Sequence, residues 1–192
     1  MSFIHMRMAK AAAAVLVAVP FSVGGLASQG HAQDTSPSPS GTFGPGCSTL
    51  AQKTDTAKDK VVEAAAAYPQ LSQLVSALVR ANLSDTLDGK SDITIFAPDQ
   101  KAFQNVTASQ LSSLLSNQGE LKKVLGYHVV DKKITPDQLS KGSFTTLEGS
   151  KLTTSGSGSD FKVNDKANIV CGNIKAANAT IYVVDAVLQP PS

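Results

Sequence analysis

The sequence predicts an α+β domain, helices ahead of an antiparallel meander, and three observations carry that prediction. Apolar residues recur at helical spacing as Leu71, Leu74, Val75, Leu78 and Val79, with Ser72, Gln73, Ser76 and Arg80 turned outward. From Gly142 onward the pattern changes to short β-branched and aromatic runs separated by Gly, Ser, Asn and Asp turns. Between the two lies Asp92-Ile-Thr-Ile-Phe-Ala-Pro-Asp-Gln-Lys-Ala-Phe103, a buried strand stopped by Pro98 and followed at once by a helical turn. Helices first and strands afterwards exclude the alternating order of a doubly wound sheet.

The chain opens with an address. Arg7 and Lys10 precede an apolar run from Ala11 to about Ala27, interrupted by Pro20, Gly24 and Gly25 and so unlike a membrane span. Small residues in Gly30-His31-Ala32 place signal cleavage after Ala32, with Ala27 as second choice, so residues 1–32 read as a signal peptide. No cysteine adjoins either site, and Val187 to Ser192 lack a hydrophobic tail, so no lipid anchor is expected. Residues 33–46, rich in Ser, Pro and Gly, are expected to form a flexible tail, and 47–192 a single domain.

Loss of residues 1–32 removes Arg7 and Lys10 and leaves 15 basic against 15 acidic side chains. A balanced chain whose lysine pairs, Lys122-Lys123 and Lys132-Lys133, adjoin Glu120 and Asp131 has no concentrated basic face, which argues against nucleic acid.

The elements follow in order. Thr56, with Asp59 three residues on, is expected to cap a helix through Lys60 to Ala67, ended by Pro69. The amphipathic stripe from Leu71 forms the next helix, and Asp88-Gly89 turns the chain into the strand at Ile93. Asp99 caps the turn that carries Phe103. Thr107-Ala-Ser-Gln110 and Asn117-Gln-Gly-Glu120 begin two more helices, the second ending at Gly126. Tyr127-His128-Val129-Val130 starts a strand, and Thr135-Pro136 starts a short helix. Strands are predicted at 144–147, 151–154, 160–163, 167–174 and 179–188, with Ser155-Gly-Ser-Gly-Ser159 as a turn. In the last strand Asp185 falls among apolar neighbours or at an edge.

Cys47 and Cys171 are the only cysteines, and in an exported chain such a pair suggests one disulfide. It closes a loop of 124 residues, worth about 4–5 kcal/mol in chain entropy. A reactive or metal-binding thiol pair is the alternative, but there is no Cys-x-x-Cys, and His128 is the one histidine left after the signal. Catalysis finds little support. The chain has no Gly-x-Ser-x-Gly elbow and no phosphate-cradling glycine loop, while Ser159-Asp-Phe-Lys162 lies in a predicted hairpin without companion motifs. No enzyme activity, cofactor or metal is expected.

Three separated stretches resemble the fasciclin domain family. Thr94-Ile-Phe-Ala-Pro98 with Ala102-Phe103 resembles its first signature, Tyr127-His128 its central Tyr-His motif, and Asn178 to Pro190, closing on Leu-x-Pro, its second signature. Gly44-Pro-Gly-Cys47 and Val170-Cys171-Gly172 are similar to the single-domain mycobacterial-type antigens of that family, whose two cysteines pair. The resemblance implies a twisted antiparallel β-sandwich or wedge with N-terminal and inserted helices. It also implies cell adhesion or binding of an extracellular, host cell-surface or matrix protein by a secreted monomer without a transmembrane segment. Animal members bind integrins through the Tyr-His region, which makes Tyr127 and His128 the candidate interaction residues. Their second binding segment falls here on Cys171-Gly-Asn-Ile-Lys175, which keeps only Ile174, and there is no Arg-Gly-Asp.

For His128 the plainer alternative is a half-buried ring whose hydrogen bond to backbone or hydroxyl holds the helix-to-strand junction, and for Tyr127 a place in the core. A second functional reading is a carrier holding a small apolar ligand or lipid in a groove between helices and sheet. Asn82, Asn105 and Asn178 lie in Asn-x-Ser/Thr sites that matter only in a glycosylating host.

Overall fold

A computed structural model describes residues 41–50 and 56–191; the predicted signal and most of the predicted tail lie outside them. Short helices α1 (Cys47–Leu50), α2 (Val61–Ala66), α3 (Ser72–Arg80) and α4 (Ser84–Asp88) precede strand β1 (Ile93–Pro98). Helices α5 (Gln100–Gln104), α6 (Ala108–Ser116) and α7 (Gln118–Tyr127) follow, then strand β2 (Val129–Val130) and a 3₁₀ turn at Pro136–Leu139. The remainder is strand: β3 (Lys141–Thr145), β4 (Lys151–Ser157), β5 (Asp160–Val163), β6 (Ala167–Lys175) and β7 (Ala179–Val184).

The class is α+β, as predicted, on a seven-stranded sheet in the order β2-β1-β7-β6-β5-β4-β3. All neighbours are antiparallel except β1 and β7, which run parallel from Ile93↔Ala179 to Pro98↔Val184. The sequence offers no sign of that pair: three helices and five strands of the chain separate the partners, and both strands are fully buried. The sheet curls until its ends touch, Val130 bridging Thr146 and Leu147 N donating to Val129 O at 2.7 Å.

Curling gives the central strands two apolar faces. Ile93, Ile95 and Ala97 of β1 and Ile181 and Val183 of β7 pack against α2, α3, α4 and α7 in an outer core. Phe96, Tyr182 and Val184 point the other way, into an inner core with Tyr127, Ile134, Leu139, Leu152, Phe161 and Leu188. The Phe96 and Tyr182 rings stack at 5.7 Å between centroids. Thr94 is a buried polar residue on that face; its hydroxyl donates to Lys132 O at 2.7 Å and accepts from Ile134 N at 2.9 Å, stapling the loop after β2 across the sheet.

Four local expectations change. Thr56 does not cap α2; its hydroxyl donates to Lys175 O, and Val61 N at the head of α2 is taken instead by Asn178 Oδ1 at 2.9 Å. The Gly-Ser run is mostly strand, since β4 continues to Ser157 and only Ser157–Asp160 reverses the chain. Tyr127 closes α7 rather than opening β2. The chain is also structured from Gly41, ahead of the predicted domain start: Phe43 and Gly172 exchange backbone hydrogen bonds, and Gly46 N donates to Val170 O. The Phe43 ring lies against Phe161, and a Cβ on Gly172 would run into it, so that glycine makes the room. Cys47 and Cys171 are joined in a disulfide that fastens this arm to β6.

Candidate functional site

The Tyr-His pair sits where α7 ends. Asn117 starts that helix, its Oδ1 accepting from Gly119 N and Glu120 N at 3.1 and 3.2 Å, and Leu121, Val124 and Leu125 bury one face. His128 is the C-cap, and the chain passes directly into β2 with Phe96 N donating to His128 O at 2.8 Å. Both side chains are thereby drawn inward: Tyr127 is 3% and His128 1% exposed. Tyr127 OH donates to Lys151 O at 3.0 Å and accepts from Asn164 Nδ2 at 2.8 Å, which ties α7 to β4 and to the turn after β5.

The imidazole is bonded on both sides. Nδ1 lies 2.7 Å from Val124 O, and Nε2 accepts from Leu188 N at 3.0 Å, so the ring is the neutral Nδ1–H tautomer. Burial lowers its pKa from 6.5 to about 4, against the opposing pull of the Val124 carbonyl. The ring is therefore more deeply buried than the sequence suggests, and its second partner lies 60 residues away, beyond any local pattern.

That partner matters because the C-terminal segment, residues 186–191, forms one wall of a surface groove of about 920 Å³. Residues of α6, α7 and the junction between them, among them Gln110, Leu114, Asn117 and Lys123, face Val187, Pro190 and Pro191, with Glu148 at the side. Val106, Leu114, Val124 and Val187 supply apolar surface, and Ser, Gln, Asn and charged side chains supply hydrogen-bonding groups. Tyr127 and His128 do not line it; His128 holds its wall through Leu188. The sequence expectation of a groove placed it between helices and sheet; here its second wall is the C-terminal segment, which the closing Leu-x-Pro of the last signature marks.

The structure separates the other predicted residues from this region. The Cys47–Cys171 disulfide belongs to the arm and β6 and does not line the groove. In the Cys171–Lys175 stretch, Gly172 lies under the Phe43 ring, and Asn173 is buried with its Nδ2 donating to Gly41 O. Among the described residues no group of His, Cys, Asp and Glu side chains could hold a metal ion, and no helix is long and apolar enough to cross a membrane.

Comparison with known proteins adds the following. A model of the fasciclin domain matches residues 69–190. The cell surface glycolipoprotein MPB83 of Mycobacterium bovis is 33% identical over 219 aligned residues, covering 98% of each chain. The immunogenic protein MPT70 of Mycobacterium tuberculosis is 35% identical over 190, covering 92% of this chain and 97% of its own. Among solved structures, the FAS1 domain pair of the insect cell adhesion molecule fasciclin I is similar with a TM-score of 0.52 at 16% identity. That match covers 64% of this chain and 46% of the insect one, and it is a likeness of fold.

Proposed function

Because the chain belongs to the fasciclin domain family, we propose that it is an exported module that binds an extracellular protein through the groove between α6, α7 and residues 186–191. The groove carries this reading. It is large, it mixes apolar and hydrogen-bonding surface in the manner of protein contacts, and its C-terminal wall is held by the histidine of the family's Tyr-His motif. On this view Tyr127 and His128 serve adhesion by positioning the surface above them. A cell-surface relative and a leader-like residue 1–32 support placement outside the cell.

The test is saturable binding of the purified, oxidised protein to host cells and isolated matrix proteins at neutral pH. Lys123→Glu and Gln110→Arg place new charge or bulk in the groove without touching either core. Micromolar or tighter binding lost in these folded variants supports the reading; binding unaffected by both moves the contact surface elsewhere. N-terminal sequencing of the exported protein checks cleavage after Ala32.

A second reading, a carrier for a small apolar ligand or lipid, is favoured by the volume of the groove and by its Val and Leu surface. Native mass spectrometry of the protein from its own host decides it: a stoichiometric adduct lost on organic extraction supports carriage, and a bare chain leaves the protein-binding reading.

A further inference from the structure

We propose that residues 186–191 are a strap latched by His128, and that protonation of the ring at Nε2 releases the strap and opens the groove. The inference rests on the groove being the binding site and concerns its regulation. The fixed end of the strap is Asp185, whose Oδ1 accepts from Asn168 N and whose N donates to Asn168 O at 3.1 Å. Beyond it, among the described residues, the bond from Leu188 N to His128 Nε2 is the one hydrogen bond that fastens residues 186–191 to the body. Pro190 and Pro191 have no N–H to offer a second. Leu188 is buried in the inner core, Ala186 packs against the same core and Val187 against the outer one, so the strap has one polar attachment and a short run of apolar ones.

The latch depends on one lone pair. With Nδ1 committed to Val124 O, Nε2 is the ring's acceptor; a proton there sets two donors, Nε2–H and Leu188 N–H, against each other at about 3 Å. The ring cannot turn away freely, because it is buried and its Nδ1–H is held by Val124 O. The charged side chains on the elements around it are Glu120, Lys122 and Lys123 on α7, Glu148 beside Gly126, Asp131 after β2, Asp99 after β1, and Asp185 ahead of the strap. Burial and the Val124 carbonyl, not these groups, set the titration, which keeps the latch shut at neutral pH and frees it in acid.

The test uses the intact oxidised protein with ¹⁵N labelling and no binding partner. Long-range ¹H–¹⁵N correlation reads the state of His128, and amide exchange, corrected for intrinsic rates, reads Leu188 and Gln189 against β1 and β7 from pH 7 to pH 3.5. The expected result is the Nδ1–H tautomer at pH 7. As the ring protonates, protection at Leu188 should fall at least tenfold while β1 and β7 stay protected. Protection of Leu188 retained with a charged ring overturns the latch, and so does its loss only together with β1 and β7. Either failure leaves the neutral-pH binding test standing, and failure of binding leaves the latch result intact.

Discussion

Asn178 does the work of several residues. Its Oδ1 accepts from Val61 N at the head of α2, and its Nδ2 donates to Leu87 O and Lys90 O, both at 2.9 Å. Replacing it with Ala leaves a helix start and two carbonyls without their partner, and a loss of about 2–4 kcal/mol is expected in denaturant midpoints. The same bonds withdraw this Asn-x-Thr site from modification, so in a glycosylating host only Asn82 and Asn105, both exposed, are expected to carry glycan in the folded protein. His128 makes the second prediction. A ring whose pKa falls from 6.5 in the unfolded chain to about 4 on folding is protonated more readily when unfolded. Its contribution is fully present above pH 6.5 and is lost as pH falls toward 4, about 3 kcal/mol in all. Melting curves between pH 7 and 4 should decline accordingly in the native protein and flatten in His128→Gln; an equal decline in both sinks the assignment. The backbone-bonded reading of His128 could be made from sequence, since Val124 lies four residues away, but its bond to Leu188 and the bonds of Asn178 could not, because those partners are 60 or more residues distant; Asp99, three residues from Ala102, could be read directly.

At the scale of elements, local rules succeeded where the partners were local. Asp99, Thr107 and Asn117 all accept the backbone amides that cap their helices. Asp99→Ala is expected to cost about 1 kcal/mol, measured by thermal melts. Thr56 broke the rule because its hydroxyl finds a carbonyl across the fold, on Lys175, and the helix start is satisfied from elsewhere. α6 differs from its neighbours: its own cap is sound, yet no residue of it is fully buried. Its leucines lie partly buried on the outer core, so it is held by fewer apolar contacts than α7, which buries Leu121, Val124 and Leu125. Amides of α6 should exchange well before those of β1 and β7. Equal protection would show the groove to have a rigid floor on both sides. The Gly-Ser run was misread for a related reason, since composition suggests a turn, while the register with β5 keeps β4 extended past Gly156.

For the whole molecule, the disulfide sets how the arm is held. It joins residues 124 apart, and its removal in Cys47→Ser/Cys171→Ser should lower stability by about 4–5 kcal/mol, read from denaturant unfolding of the variant against the oxidised protein. The alternation along the strands made the α+β class legible. What sequence pattern could not show was topology, because β1 and β7 each look like a buried strand from any sheet. Their parallel pairing has a consequence for how the protein is made. β7 lies between β1 and β6, so until residues 179–184 exist the pieces on either side, β1 with β2 and β6 with β5, β4 and β3, meet only where Val129 and Val130 touch Thr146 and Leu147. Closure of the whole sheet around its parallel pair therefore awaits nearly the last strand of the chain, which makes it a late step of folding.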